Sequence, residues 1–356
     1  MFARISWSAG GRSSRGSSPS IGATRRMMLP AVGAAYEIGW QYLTVTMDIQ
    51  YLGAVVKEDA IAEGWVEQAT GTRINYNGVG SGAGIQAITN RQVDFGASDA
   101  PLTPDQFSAC KRCVQIPWVL SATSVPYNVK GVPYGLKITG PLLADIYLGK
   151  VKKWNDARIK RLNPSVSLPS TDITPIYRSD SSGTTFNFTE YLAKVSPAWR
   201  SRVGNGTQVS FPAGIGAPKS SGVAGTLSRT DGGITYVDVA YSQRSKFKMF
   251  KIRNRTGKFA LPGVRGIKAA GSTVKRVPGN NEISIVDPPK GDPLAYPICT
   301  FSYVILPLKT SNAAELKRFV GWALTKGQGY GTDLQFVPIP KIVKTKSQTT
   351  LKRIHI

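Results

Sequence analysis

The sequence predicts an α/β protein of two domains. Its 356 residues are about twice the length of an ordinary domain. Short β-rich runs alternate with stretches of helical spacing along most of the chain. Hydrophobic residues make up 41% and charged residues 19%, which is enough apolar material for real cores. The 37 glycines and 23 prolines then mark tight turns rather than disorder.

Residues 1–47 stand apart. They are rich in Ser, Gly and Arg, carry no acid before Glu37, and place Arg25-Arg26 ahead of a short apolar run. They are expected to be an export signal of twin-arginine type or sequence upstream of the true start, and are set aside from the fold. They hold no cysteine for lipid attachment. Beyond them, residues 73–77 alternate as a strand. A glycine-rich turn follows, then Ile85 and Ile88 at helical spacing. Residues 93–97 and 119–127 read as strands, and 141–148 as a helix carrying Leu142 and Ile146. Residues 173–177 form a strand ending in a turn at 179–183, after which Phe188, Leu192 and Val195 fall on one helical face. Residues 233–239 and 300–306 read as strands. Leu316, Phe319, Val320 and Ala323 make the stripe of a late helix. There is no internal repeat.

Composition narrows function. No run reaches the roughly 18 apolar residues of a membrane-spanning helix. One histidine, His355, stands next to the C-terminus, which argues against Ser-His-Asp catalysis and histidine metal sites. No metal and no cofactor is expected. Cys110 and Cys113 have C-x-x-C spacing, and only Cys299 remains as a third ligand, too few for zinc. Flanked by Pro104 and Pro117, the pair reads as a loop. A loop-closing disulfide in an oxidising compartment is expected, with two reduced thiols as the alternative. Cys299 lies in an apolar run and reads as an inert core residue. The net charge of +24 attracts anions without choosing among nucleic acid, acidic polymer and small oxyanion.

Three segments place small polar residues where a strand hands over to a helix or has just ended. Gly80-Ser81-Gly82 opens one helix, Ser182-Gly183-Thr184 opens another, and Asp99 lies just past a strand. A helix N-terminus offers unpaired N–H groups and the positive end of the dipole, so it suits an anion. Arg178, at a strand end, carries a donor fork matched to a tetrahedral oxyanion, and Asp180 can hold it. Taken singly, Ser81 and Ser182 are also explained as N-caps, Asp99 as a cap before Pro101, and Arg178 as a surface charge.

The combined pattern resembles the substrate-binding subunit of the bacterial phosphate ABC transporter. The resemblance rests on Asn75-Tyr76-Asn77-Gly78-Val79-Gly80-Ser81-Gly82-Ala83-Gly84, Val93-Asp94-Phe95-Gly96-Ala97-Ser98-Asp99-Ala100-Pro101-Leu102, and Ile146-Tyr147-Leu148-Gly149-Lys150-Val151-Lys152-Lys153-Trp154-Asn155-Asp156. Arg178-Ser179-Asp180-Ser181-Ser182-Gly183-Thr184-Thr185-Phe186 and Gly232-Gly233-Ile234-Thr235-Tyr236-Val237 complete it. It covers roughly residues 71–345 in the family's order and spacing.

The resemblance implies a type II periplasmic-binding-protein fold, two α/β lobes with a ligand cleft between them. Lobe I takes residues 48–124 and 303–356, lobe II takes 125–302, and crossings lie near 124–128 and 297–303. It also implies extracytoplasmic binding of inorganic phosphate, delivery to membrane permease subunits, a periplasmic or outer-envelope location, and a monomer. Ser81, Asp99, Arg178, Ser182, Gly183 and Thr184 would line the cleft, with Asp180 and Gly82 supporting. The family's first anion loop corresponds to Leu52-Gly53-Ala54-Val55-Val56-Lys57, where the hydroxyl, aromatic and proline of the pattern are missing.

Three rivals are kept. One is a receptor for another oxyanion such as sulfate. Another is a phosphatase-like enzyme with Ser81 or Ser182 as nucleophile, although no base other than Asp99 is present and no enzyme is expected. The third is a basic nucleic-acid surface, because residues 239–281 hold eleven Lys/Arg and no acid, with Phe247, Phe250 and Phe259 interleaved. No nucleic-acid partner is expected, since Lys246-Phe247-Lys248 also fits a half-buried strand.

Overall fold

The computed structural model describes residues 41–47, 72–331 and 336–356. The chain opens with β1 (Gln41–Met47), β2 (Thr72–Asn77), α1 (Ser81–Thr89), β3 (Gly96–Ser98), α2 (Pro104–Ala109) and β4 (Cys113–Ser124). Next come β5 (Pro126–Asn128), β6 (Lys137–Ile138), α3 (Gly140–Tyr147), α4 (Ala157–Leu162), β7 (Thr174–Arg178), α5 (Gly183–Val195) and α6 (Pro197–Arg202). They are followed by β8 (Ile215–Ala217), α7 (Lys219–Arg229), β9 (Gly233–Ile234), β10 (Val237–Asp238) and α8 (Val239–Arg244). The last part holds β11 (Lys248–Met249), β12 (Lys251–Arg253), β13 (Phe259–Ala260), α9 (Val264–Gly271), β14 (Cys299–Pro307), α10 (Ala313–Ala323) and α11 (Lys341–Lys352).

Two larger sheets and a three-stranded one, of order β13-β12-β6, organise these elements. The first has the order β10-β4-β14-β3-β1-β2, the second β11-β5-β9-β7-β8. Strand β1 lies inside the segment that the sequence reading set aside, and it pairs in parallel with β2 and β3. Its run of Thr44, Val45 and Thr46 is β-branched, which favours a strand. Strands β4 and β14 form the antiparallel spine of the first sheet. Every residue of β14 is buried, so it reads as a continuous apolar run rather than an alternating one. The chain leaves β4 at Ser124 and enters the second sheet at Pro126, across the fully buried Val125.

Each sheet has its own aromatic packing. Phe95 and Trp118 pack around Phe319 of α10, with centroids 5.3 and 5.8 Å from it. Beneath the second sheet, Phe188 stacks on Tyr236 at 4.4 Å and Trp154 on Phe250 at 5.9 Å. Such pairs add about 1 kcal/mol each beyond the area they bury. Phe250 is fully buried, so it is not a base-stacking surface residue.

Two expectations are corrected. Residues 233–239 are not one strand. The chain turns at Thr235, whose N–H donates to the Pro126 carbonyl at 3.0 Å, and delivers β9 to the second sheet and β10 to the first. The segment between Pro104 and Pro117 is not a long loop. Pro104 is the first residue of α2, where its missing N–H costs nothing, and the chain is a strand again by Cys113. Pro117 lies within β4, opposite Tyr303, and there the ladder slips so that Trp118 is an extra residue. A bulge is how a strand accommodates a residue with no donor. Helix α9 packs against β4 and β14 of the first sheet.

Asp238 ties β10 to β4. Its carboxylate accepts from the Ser121 hydroxyl at 2.9 Å and caps α8 by accepting from Ala240 N at 2.8 Å. Burial pushes its carboxyl up to about 6, against the lowering effect of those bonds and of the Arg244 charge. A carboxyl raised on folding is tolerated best while protonated. Stability is therefore highest below the unfolded value and falls as pH rises through about 6. A rise from the ordinary carboxylate value to about 6 corresponds to roughly 3 kcal/mol. Asp238→Asn keeps a capping oxygen and removes the ionisation. It is expected to narrow the Tm difference between pH 4.5 and 7.5, read by calorimetry; an unchanged difference would mean that Asp238 titrates normally.

Candidate anion cleft

The two helix N-termini singled out in the sequence face each other. Gly80 caps α1 with φ 96°, and α1 begins at Ser81, which is fully buried. Ser182 caps α5, its Oγ accepting from Thr184 N at 3.2 Å and Thr185 N at 3.4 Å. The helices meet through Ser81 Oγ, which accepts from Gly183 N at 3.1 Å and from Asp99 N at 3.3 Å. Gly82 N also donates to the Ser181 carbonyl at 3.5 Å. This approach requires glycine on both sides. A Cβ on Gly183 would lie 2.6 Å from Asp99 Cβ and from Ser81 Oγ, and one on Gly82 would lie 2.2 Å from Ser181 Oγ.

Asp99 is held from several directions. The Ser302 hydroxyl donates to its carboxylate. Its carbonyl accepts from Asn187 Nδ2 at 3.2 Å and from Thr300 Oγ1 at 3.2 Å. Only 5% of its surface is exposed. The bulge at Trp118 bears on this, because it resets the register of β14 between Ser302 and Tyr303, directly beside the hydroxyl that meets Asp99.

Arg178 ends β7 and is almost completely buried. Asp180 grips one edge of its guanidinium, accepting from Nε at 2.7 Å and from Nη2 at 2.6 Å. Nη1 donates to Ser220 Oγ of α7 at 3.2 Å, and the Arg178 backbone N–H donates to the Tyr236 hydroxyl at 3.0 Å. Burial alone would raise the Asp180 carboxyl. The Arg178 bonds and charge, with the Lys219 N–H, outweigh that and hold it below the ordinary carboxylate value. The guanidinium is thus a planar cationic fork held in place along one edge by Asp180.

The structure brings Ser81, Asp99 and Gly183 into direct contact, with Gly82 against Ser181 and Ser182 capping α5 beside them. Arg178 and Asp180 stand on the β7 end that leads into Ser182, and Thr184 follows Gly183 on α5. The residues near Gly53 lie outside the described residues. Sequence reasoning missed Asn187, Thr300, Ser302, Ser220 and Tyr236. Thr300 and Ser302 carried a signal, since they are hydroxyls two apart on one face of an otherwise apolar strand. Asn187 is one helical turn beyond Gly183, on the same face. Among the described residues no group of three or more His, Cys, Asp or Glu could hold a metal ion. The Ser81 and Ser182 hydroxyl oxygens both accept backbone N–H bonds, and His355 lies exposed at the chain end.

Known proteins share this arrangement of segments. The family model of the PBP superfamily domain matches residues 52–326. The phosphate-binding protein PstS of Xylella fastidiosa is 38% identical over 276 residues, covering 76% of this chain and 75% of that one. That of Haemophilus influenzae is 36% identical over 295 residues, covering 81% and 88%. The chain belongs to the periplasmic phosphate-binding protein family. Solved members share the two-lobed fold. The phosphate-binding protein of Stenotrophomonas maltophilia superposes with a TM-score of 0.65 at 19% identity, covering 86% of this chain and 93% of that one. An ABC-type phosphate transport receptor from Vibrio cholerae gives 0.53 at 14% identity, covering 84% and 100%. As a member of the phosphate-binding protein family, the chain is a transport component and not an enzyme. No helix among the described residues is long and apolar enough to cross a membrane.

Proposed function

We propose that the chain binds inorganic phosphate outside the cytoplasm, as a monomer, and delivers it to the permease subunits of an ABC transporter. The observation that carries this reading is the meeting of two helix N-termini beside a buried acid, Asp99, and a clamped arginine, Arg178. In this reading Ser81, Asp99, Arg178, Ser182, Gly183 and Thr184 line the anion site, Asp180 steadies Arg178, and Gly82 allows the loops to close. Lobe I comprises residues 48–124 and 303–356, and lobe II residues 125–302. The passage from β4 to β5 at Val125 and the start of β14 at Cys299 support divisions at those points, while the contacts of α9 draw it toward the first sheet. Phosphate bridging the lobes favours the closed form, which the permease recognises.

Asp99 accounts for selectivity. Phosphate near neutral pH carries at least one proton and can donate to the carboxylate. Sulfate offers the carboxylate only lone pairs and like charge, and such a contact in a buried site costs several kcal/mol, roughly. The test is retention of radiolabelled phosphate by the full chain in equilibrium dialysis. One equivalent per chain, displaced by unlabelled phosphate and not by sulfate, is expected. No retention by folded protein would overturn the proposal.

A further inference from the structure

The Cys110–Cys113 disulfide joins the end of α2 to the start of β4. Its surroundings differ from those of an inert structural bridge in three respects. The first is a cation. Arg91 turns its guanidinium onto the bridge, with Nη1 3.2 Å from Cys113 Sγ and 3.5 Å from Cys110 Sγ. It is fixed there by donating to the carbonyls of Ile88 at 2.7 Å, Cys110 at 2.7 Å and Lys111 at 3.0 Å. The second is access. Cys113 keeps 7% of its surface exposed, against 1% for Cys110, and lines an open pocket of about 310 Å³ together with Phe107, Gln115 and Arg353. The third is the backbone. The two residues inside the bridge, Lys111 and Arg112, have φ of 41° and 67°, a left-handed conformation that is uncommon and costly for side-chain-bearing residues.

From these we infer that Cys110–Cys113 is an exchangeable redox disulfide, reduced by a dithiol that enters at Cys113 and poised by Arg91. A dithiol thiolate attacks Cys113 Sγ, the S–S bond breaks, and Cys110 leaves as a thiolate beside the guanidinium and takes up a proton. The second dithiol sulfur then attacks the mixed disulfide and closes its own S–S bond, releasing Cys113 as a thiolate facing Arg91. Two electrons pass from the dithiol, which is oxidised, to the cystine, which is reduced. A nearby cation stabilises thiolate over thiol and so favours the reduced form. Reduction also frees Lys111 and Arg112 from their constrained backbone. The bridge sits in a small apolar cluster with Ile85 and Ile88 of α1, the helix that opens at Ser81, so the redox centre lies directly behind one wall of the cleft.

The experiment uses the full chain under native conditions, equilibrated with graded ratios of reduced to oxidised dithiothreitol, quenched by alkylation and read by mass. Two new labels are expected without loss of the folded circular dichroism spectrum. Arg91→Met is expected to require at least tenfold more reducing buffer. The reduced protein should show thiolate absorbance at neutral pH that Arg91→Met loses and Arg91→Lys largely retains, a change that a merely structural role for Arg91 does not produce. A bridge that is reduced only once the protein unfolds overturns the inference. So does an Arg91→Met variant with an unchanged equilibrium and thiolate titration.

Discussion

Arg178→Ala is expected to weaken phosphate binding by about a thousandfold. Hydrogen bonds to charged groups contribute about 1.5–3 kcal/mol each, and a guanidinium presents them as a fork, so losing two corresponds to roughly 4 kcal/mol. The substitution also leaves Asp180 without the partner that now holds it at 2.6 and 2.7 Å, adding a second negative charge close to the anion. Arg178→Lys should recover little, because a point charge cannot reproduce a fork gripped along one edge. Titration calorimetry against Asp180→Asn separates the two effects. Asp180→Asn keeps the cation and removes the carboxylate charge, so it should bind far better than Arg178→Ala. A loss below tenfold in Arg178→Ala would place the anion away from this arginine.

Gly183→Ala should separate binding from stability. A methyl at this first position of α5 is favoured by helix propensity, so Tm should hold or rise. The same methyl would lie 2.6 Å from both Asp99 Cβ and Ser81 Oγ, so the two loops cannot meet as they do here. Overpacking of this kind costs about 1–3 kcal/mol, and because it falls on the closed form it should reduce phosphate affinity roughly 10- to 100-fold. The check is Tm and affinity measured on one preparation. Wild-type affinity in Gly183→Ala would show that the loaded receptor does not close to this contact.

Much of the cleft was legible in the sequence because its groups belong to short local motifs. Gly80-Ser81-Gly82 and Ser182-Gly183-Thr184 announce helix starts, and Arg178 and Asp180 lie close enough along the chain for one to hold the other. What sequence could not show were partners brought from far along the chain. Ser302 reaches Asp99 across 203 positions and Thr300 across 201, through strand pairing that no local spacing encodes. Pro117 misled for a related reason. A proline between short runs reads as a loop, and only the antiparallel ladder with β14 reveals it as the cause of a bulge. In the aromatic-basic stretch after Asp238, the sequence likewise did not show that Phe250 is core.

The most direct measurement is calorimetric titration of the phosphate-free full chain with phosphate and, separately, with sulfate at neutral pH, repeated on Asp99→Asn. The account predicts one phosphate site in the wild type with no measurable sulfate binding, and in Asp99→Asn a phosphate-to-sulfate preference at least tenfold smaller. Equal binding of both anions by the wild type, or unchanged selectivity in Asp99→Asn, would contradict it.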